Sequence, residues 1–282
     1  MKKISIIMRS RNDAGLIGET LRIVYGQTIK EFELINVDNA SSDGTPEIIK
    51  RYNNAGKIIN IKNGDYVPGK VLNAAVEIAA GDIIVFLNSD ATPCDERWLE
   101  NLVAGLEPAT GAVAVYGRQI ARRDANLLIK TDYARAYRSE GKKSELNEMM
   151  FSFASAAFYR HIWKNHRFYE GGLSEDMEWC ARITEAGYKC AYIPGSAVYH
   201  SHNYGVKSLF EKTYRENIPL GTLSRSGFVV LFKRFFMAIL RDVAYCLKGL
   251  DLCALLYSPV YRLTIFSASY FGRKRGMSMH VK

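Results

Sequence analysis

An unbroken apolar run from Ile83 to Leu87 ends directly in Asn88-Ser89-Asp90. Five consecutive β-branched, aliphatic and aromatic residues are typical of a strand that is buried on both faces of a parallel sheet. Open α/β sheets bind their ligands at the carboxyl ends of the strands, so we predict that Asp90 meets a metal ion or a phosphate group. The alternative is structural: Asp90 caps a helix that runs from about Asp95, with Pro93 in the turn.

Strand and helix signals alternate on both sides of this run, as in a doubly wound α/β sheet. We predict strands at 3–8, 32–37, 57–61, 83–87, 112–116, 189–193 and 197–201, and regular structure of unassigned type at 151–159. We predict helices up to 25, from 46, at 69–80, at 95–106 and at 175–186, with Thr45 and Ser174 as caps. The outline is that of a nucleotide-binding half-fold. Residues 117–150 show no pattern beyond loop and helix.

The length and the cysteines limit the class of protein. A chain of 282 residues suffices for one large α/β domain with an appendage. Its five cysteines form neither a CxxC pair nor an even framework, which predicts free thiols in a reducing cytoplasm and no structural zinc. No GxGxxG motif follows the first strand, which excludes a dehydrogenase of the dinucleotide-binding type.

The net charge of +9 lies entirely in the C-terminal part of the chain. Residues 1–202 are neutral overall, whereas residues 203–282 contain 13 basic and 4 acidic residues. Between Gly227 and Lys248, cationic residues recur at intervals of seven or eight among many apolar ones, which predicts an amphipathic helix on an anionic membrane surface rather than a nucleic-acid site. The apolar runs are shorter than the roughly 18 residues of a spanning helix. Alternatively, this face packs on the rest of the chain or forms a homodimer.

Three motifs together resemble a known family. The run from Asp38 to Thr45, the strand end at Asn88-Ser89-Asp90 and the pair Glu175-Asp176 have the order and spacing of family 2 glycosyltransferases with a GT-A fold. Shorter runs are similar to a subgroup of rhamnosyltransferases and surface-polysaccharide transferases: Arg9-Ser10-Arg11-Asn12, Gly69-Lys70-Val71-Leu72-Asn73, Trp98-Leu99-Glu100, Tyr116-Gly117-Arg118-Gln119 and Tyr199-His200-Ser201-His202-Asn203-Tyr204.

The resemblance covers about residues 3–215 and implies the fold class and the domains. We expect an α/β GT-A fold, with a Rossmann-like nucleotide-binding and mainly parallel sheet flanked by helices, followed by a C-terminal amphipathic helical extension. We therefore divide the chain into a GT-A glycosyltransferase domain, 1–215, and a basic helical tail, 216–282, that associates with a membrane or forms an oligomer.

The resemblance also implies a site for a nucleoside diphosphate sugar. The family counterpart of Asp38 hydrogen-bonds the base, with Ser10 and Arg11 nearby, and a carboxylate that faces N3–H suits uracil or thymine. The alternative is that Asp38 and Asp43 only stabilise a turn.

Five more residues are expected at the donor. Asn88 and Ser89 are expected near the ribose, and Lys70 and Asn73 on the nucleotide side. Arg118, with Gln119, is expected near the donor–acceptor cleft, where a guanidinium suits phosphate. All of these could instead be ordinary surface or structural residues.

A divalent cation is implied as well. Mg²⁺ or Mn²⁺ bound to Asp90 and to both phosphates would act as a Lewis acid on the leaving group. His200 and His202 lie two residues apart, so on a strand both face one way and either could complete the metal shell, with His200 favoured by the resemblance. The sequence departs from the usual Asp-x-Asp because Asn88 stands first, and the missing charge weakens the case for a strict metal requirement.

The resemblance assigns the catalytic base to Asp176, which would take the proton of the acceptor hydroxyl. Glu175 is expected to position the acceptor or a nearby backbone group. The alternative is favourable charge at the N-terminus of a helix. A single displacement assisted by such a base inverts the anomeric configuration.

The sequence thus predicts an inverting glycosyltransferase that moves a sugar from a UDP- or dTDP-linked donor, such as dTDP-rhamnose, to a lipid-linked or polysaccharide acceptor. We expect it on the cytoplasmic face of the cell membrane. Two alternatives remain: a sugar-phosphate nucleotidyltransferase, although Arg9 to Gly15 is no Gly-rich phosphate loop, and an inactive binding protein for sugar nucleotides or lipid carriers, which Asn88 keeps open.

Overall fold

The computed structural model describes residues 2–53, 56–139, 151–171, 174–223 and 228–279. Two compact units are present: Met1–Ala121 with Ala134–His200, and Arg122–Tyr133 with Ser201–Lys282. This division differs from the predicted one at 215, because residues 122–133 and 201–215 group with the C-terminal helices. Residues 140–150 at the end of the segment 117–150, together with Gly172, Leu173 and Gly227, lie outside the described residues.

Among the described residues, eight strands form one mixed sheet in the order β3-β2-β1-β4-β7-β6-β8-β5. Strands β3, β2, β1 and β4 pair in parallel, as do β6 and β8, whereas β7 is antiparallel to both of its neighbours and β5 is antiparallel to β8. The strands are β1 (Ile4–Ser10), β2 (Glu33–Asn39), β3 (Lys57–Ile61), β4 (Ile83–Asn88), β5 (Thr92–Pro93), β6 (Ala112–Ile120), β7 (Ser155–Tyr159) and β8 (Lys189–Tyr199).

Helices flank the sheet and continue into the second unit. They are α1 (Ala14–Tyr25), α2 (Thr45–Tyr52), α3 (Pro68–Ile78), α4 (Trp98–Ala104), α5 (Leu127–Ala136), α6 (Arg160–Asn165), α7 (Glu175–Glu185), α8 (Val206–Leu223), α9 (Phe228–Lys248) and α10 (Leu252–Met279). The architecture is the expected α/β fold of the GT-A type with C-terminal helices.

The centre of the sheet is as apolar as the sequence predicts. All five residues from Ile83 to Leu87 are buried, and β4 lies between β1 and β7. Met8, on the adjacent β1, is fully buried. Burial of such side chains contributes about 1.5–3 kcal/mol each. This core fixes the position at which β4 ends and Asn88-Ser89-Asp90 begins.

Several predicted boundaries were wrong for identifiable reasons. Thr45 is not the cap of α2, because Gly44 takes the cap position with φ 91°, a left-handed conformation that favours glycine. Ser174, by contrast, is the N-cap residue of α7 as predicted, although its side chain makes no capping bond. The two short strands at 189–193 and 197–201 are one strand, β8, with a register irregularity where Gly117 meets it. Gly117 leaves no room for a side chain, because a Cβ would lie 2.6 Å from the Ser196 carbonyl oxygen.

The second unit is helical, and helix α8 packs tightly on α10. A Cβ on Gly221 would lie 2.2 Å from the Arg273 carbonyl oxygen, and one on Gly276 would lie 2.0 Å from that of Ile218, so these glycines permit close backbone approach. Arg262 of α10 connects this helix to α9 through charge-assisted hydrogen bonds to Asp242. None of the helices in the described part of the chain is long and apolar enough to cross a bilayer.

Candidate functional site

The loop after β2 is built around Asp38, which lies at the carboxyl end of β2 and in register with Ser10 of β1. The Asp38 carboxylate is buried and accepts the Ser10 hydroxyl at 3.0 Å, the Ser41 hydroxyl at 2.7 Å and the Ser41 N–H at 2.9 Å. Asp38 therefore shapes the turn after β2. A carboxylate offers about four lone-pair positions, so one stays open on Oδ2 after these three bonds.

Hydrogen bonds connect the loop after β1 to the loop after β2. The backbone N–H of Asn12 donates to the Ser41 hydroxyl, and the Asn12 side-chain oxygen accepts the Ser42 N–H, both at 2.9 Å. Asn12 has φ 55°, a conformation that Asn tolerates better than most residues. Arg11 lies beside this seam with an exposed side chain, and its backbone N–H donates to Asp13. The loop after β1 is thus held in place beside Asp38.

The strongest candidate for a metal site is the pair Asp90 and His200. His200 Nε2 lies 3.6 Å from Asp90 Oδ2, and both side chains are about seven-eighths buried, with exposed fractions of 12% and 13%. His200 follows β8, and Asp90 lies between β4 and β5, so the pairing of β5 with β8 brings them together. His202 belongs to the second unit.

Gln119 determines the tautomer of His200. Its Nε2 donates to the Tyr137 hydroxyl at 2.8 Å, which leaves its Oε1 to accept from His200 Nδ1 at 2.7 Å. With a proton on Nδ1, Nε2 is the ring nitrogen that lies toward the Asp90 carboxylate and that could donate an electron pair to a metal ion. Two electron-pair donors facing each other, with a second residue orienting the imidazole, form a donor set that suits a divalent cation.

A second carboxylate, that of Asp13, interacts with Asp90. Ser89, which is fully buried, donates its hydroxyl to Asp13 Oδ2. The pKa of Asp13 is raised, first by burial and then by the negative charges of Asp90 and Asp43, against the effect of the Ser89 bond. A cation bound at Asp90 would relieve this repulsion.

Arg9 connects the end of β4 with the start of α7. Its Nη1 donates to Glu175 Oε1 at 2.8 Å, and its Nη2 and Nε donate to the Asn88 side-chain oxygen at 3.1 and 3.3 Å. A longer bond of 3.4 Å reaches the Tyr66 hydroxyl. The carboxyl end of β4 and the Glu175-Asp176 pair therefore belong to one continuous polar network.

Asp176 is held by two backbone groups. Its Oδ1 accepts the N–H of Met177 at 2.9 Å, and its Oδ2 accepts the N–H of Phe153 at 3.3 Å. Burial, and next the neighbouring charge of Glu175, raise the pKa of Asp176 to about 7, while Arg9 opposes the rise. A carboxylate with a pKa near neutrality suits a general base at physiological pH.

The remaining predicted residues fall into different environments. Asn73 is buried, and its amide bonds the backbone of Phe168 and the side chains of Trp163 and Glu170, so these bonds hold α3 against residues 163–170. Lys70 is exposed on α3. Arg118 lies within β6, and its Nε donates to the Tyr137 carbonyl oxygen at 3.2 Å.

Arg9 and Asp13 were not predicted as site residues. An arginine after four apolar residues of β1 was the available signal for Arg9, since a buried charge needs a partner. A separate cavity of about 920 Å³ lies at the opposite, amino-terminal edge of the sheet, lined among others by Lys3, Glu33 and Ile83. It is distinct from the network at the carboxyl ends.

Comparison with known proteins identifies the family of this chain. Residues 5–166 match glycosyl transferase family 2. The chain is 31% identical over 225 residues to the O-antigen chain rhamnosyltransferase RfbN of Salmonella typhimurium, covering 75% of this chain and 70% of RfbN. It is 31% identical over 203 residues to the O-antigen chain rhamnosyltransferase WbaN of Salmonella anatum, covering 67% of this chain and 62% of WbaN.

Two solved structures share the fold at low identity. One is the mannosyltransferase PcManGT from Pyrobaculum calidifontis in complex with GDP-Man and Mn²⁺, with a TM-score of 0.67 and 19% identity, covering 98% of this chain and 87% of that one. The other is S. aureus TarS 1-349 in complex with UDP-GlcNAc, with a TM-score of 0.57 and 16% identity, covering 99% and 92%. With more than half of its length matched to the family, this protein belongs to glycosyl transferase family 2 and is a glycosyltransferase.

Proposed function

We propose that this protein transfers a sugar, with inversion, from a UDP- or dTDP-linked donor to a lipid-linked or polysaccharide acceptor during surface glycan synthesis. The observation that carries the proposal is the network in which Arg9 bonds both Asn88, at the donor edge, and Glu175, beside Asp176. Donor-binding and proton-accepting groups thereby share one site. The similarity to RfbN, an O-antigen chain rhamnosyltransferase, supports dTDP-rhamnose as a donor to test first.

The base is recognised through Asp38. Uracil and thymine present an N3–H donor, and the open lone pair of Asp38 Oδ2 is the matching acceptor. Ser10 and Ser41 fix the carboxylate by occupying its other positions. Arg11 lies next to this pocket with an exposed side chain that can approach the nucleotide, whereas the amide of Asn73 bonds the backbone of Phe168.

The diphosphate is placed next to Asp90. Asp90 and His200 would hold Mg²⁺ or Mn²⁺, which when bound supplies Lewis-acid stabilisation of the leaving diphosphate. Gln119 keeps the imidazole in the tautomer with Nε2 as electron-pair donor. Asn88 and Ser89 line the approach to this pair from the end of β4, and Arg118 lies on β6, which runs parallel to β8 before His200.

Asp176 is the base of the transfer. As the acceptor oxygen forms its bond to the anomeric carbon, its proton passes to the Asp176 carboxylate. The bond from that carbon to the diphosphate oxygen breaks, and the electron pair leaves with the nucleoside diphosphate. Attack from the side opposite the leaving group inverts the configuration. General-base catalysis of this kind contributes about 10²- to 10⁴-fold in rate. Glu175 assists by positioning.

The C-terminal helices provide a membrane-binding surface. Helix α9 exposes half or more of several large apolar side chains, including Phe228 at 53%, Val229 at 64%, Phe236 at 53% and Met237 at 60%. Lys233, Arg234 and Lys248 are exposed on the same helix. Each cation near an anionic leaflet contributes about 1 kcal/mol of attraction. A peripheral position on the membrane matches an acceptor that is carried on a lipid.

A panel of nucleotide sugars tests this function. The purified chain is incubated with Mn²⁺, anionic vesicles containing polyprenyl-linked acceptors, and each donor, and release of nucleoside diphosphate is measured. We expect turnover with one UDP- or dTDP-sugar that depends on acceptor. Donor binding without turnover across the panel would instead favour a binding protein, the alternative that Asn88 in place of an acidic residue raises.

A further inference from the structure

Arg9 is a nearly buried cation whose partners come from three other parts of the first unit. The side chains of Arg9 and Glu175 are only 17% and 10% exposed. The guanidinium leaves β1 and bonds Asn88 on β4, Glu175 at the start of α7 and Tyr66 in the loop between β3 and α3. Such a cation is stable because its donors are satisfied at well-defined positions.

The chemistry of residue 88 decides how the charge of Arg9 is shared. Asn88 accepts two of its N–H groups with a neutral amide oxygen. An aspartate at this position would compete with Glu175 for the positive charge. The amide therefore directs the charge of the guanidinium to the Glu175-Asp176 pair. Asn88 stands where an acidic residue is usual, and its neutral amide leaves the positive charge of Arg9 to Glu175 and Asp176. The two residues therefore depend on each other.

We propose that Arg9 is the positioning residue for sugar transfer: its guanidinium holds Glu175 beside Asp176 and links both carboxylates to Asn88 at the donor edge. This inference rests on the proposed function. Arg9 acts through Glu175 and Asp176 rather than on the reacting atoms, so its loss changes the state of the base more than the affinity for the donor.

The charges around Asp176 give the direction of the effect. The groups that face it are Arg9, Glu175 and Cys180, and Tyr66 faces Arg9. Burial and Glu175 raise the pKa of Asp176 to about 7, and Arg9 lowers it. Removal of the guanidinium leaves two adjacent carboxylates without their cation, so the pKa of Asp176 rises further. A smaller fraction of the base is then ionised at neutral pH.

The test compares Arg9→Gln, Arg9→Lys and Asn88→Asp in the full chain. We expect Arg9→Gln to move the acidic limb of the kcat profile upward by about one pH unit and to change the donor KM by less than threefold. Because the pKa of Asp176 starts at about 7, a one-unit rise lowers the ionised fraction of the base at pH 7 from about one half to about one tenth, so kcat at pH 7 should fall about fivefold. Arg9→Lys keeps the positive charge but not the planar, multiple-donor geometry of the guanidinium. It should recover part of the kcat and reverse part of the shift in the acidic limb. Asn88→Asp should move the limb in the same direction as Arg9→Gln.

A second variant separates this effect from a loss of folding. In Arg9→Gln/Glu175→Gln the neighbouring negative charge is gone too, so the acidic limb should return toward its original position. A purely structural role would lower activity without moving the limb and without this return, and that result would overturn the inference. An unchanged kcat and pH profile in Arg9→Gln would also overturn it. If the original chain transfers no sugar at all, it is the proposed function that fails.

Discussion

His200 Nε2 and Asp90 Oδ2 face each other at 3.6 Å, although the two residues are 110 positions apart. The antiparallel pairing of Thr92 with Tyr199 produces this proximity, because His200 directly follows Tyr199 and Asp90 lies two residues before Thr92. A short strand at the sheet edge thus assembles the two donors proposed for the metal.

Metal dependence follows from this pair. Asp90→Asn should abolish Mn²⁺-stimulated transfer, and His200→Ala should raise the Mn²⁺ concentration needed for half-maximal rate by about tenfold or more, since it removes a ligand from a small set. His161→Ala, at an exposed histidine of α6, serves as the control. Titration of activity with Mn²⁺ measures both effects, and equal titration curves for His200→Ala and the control would exclude His200 as a ligand.

Gln119 should affect metal binding through His200. Gln119→Leu removes the acceptor of Nδ1–H and frees the imidazole to change tautomer and orientation. Loss of such a supporting bond typically weakens metal affinity about 10- to 100-fold. The same Mn²⁺ titration should therefore show a weaker metal response at unchanged maximal rate. If affinity is unchanged while the maximal rate falls, Gln119 has another role.

Asp176→Asn should bind donor almost as tightly as the original chain and fail to transfer sugar. The amide cannot take a proton from the acceptor, and the isosteric change preserves the shape of the site. Glu185→Gln, at the exposed end of α7, is the matched control. Donor affinity by calorimetry and turnover by nucleoside diphosphate release distinguish the two properties. An active Asp176→Asn enzyme would remove the assignment of the base.

The pH dependence has a definite sign. The base must be ionised, and the pKa of Asp176 lies at about 7. Turnover should therefore be nearly constant well above pH 7 and fall toward tenfold per unit below it, as protonation removes the base. In the Asp176→Asn variant any residual rate should lose this limb. A limb near pH 4 in the original chain would indicate a carboxylate with an ordinary pKa.

Membrane binding should depend on α9. Phe232→Ser/Phe236→Ser removes two exposed apolar side chains and should release most of the protein from vesicles containing anionic lipid, as measured by sedimentation. Tyr52→Ser/Ile78→Ser changes exposed apolar residues of the first unit and serves as the control. High salt should weaken binding, because it screens the cations. Equal sedimentation of both variants would place the membrane contact elsewhere.

The sequence predicts what local pattern encodes. The buried strand before Asn88, the turn after Asp38 and the helix after Glu175 follow from apolar runs and turn residues. Arg9 could not be placed in the same way, because its partners Asn88 and Glu175 lie 79 and 166 residues away.

Asn73 has contacts that the sequence pattern could not predict either. It lies in a run typical of the family subgroup, yet its amide satisfies backbone and side-chain groups at positions 163–170. Spacing along the chain carries no information about such a contact. The interruption that seemed to separate 189–193 from 197–201 was likewise an irregularity within one strand, since β6 continues past Gly117 and keeps pairing with it.

The most direct test of the central claim is the donor and acceptor assay with the original chain, Asp176→Asn and Glu185→Gln side by side. A glycosyltransferase with this site should convert one UDP- or dTDP-sugar in an acceptor-dependent manner and give a product of inverted anomeric configuration. Asp176→Asn should retain donor binding and give no product, while Glu185→Gln matches the original rate. Retained configuration in the product, or transfer that survives Asp176→Asn, would contradict the account.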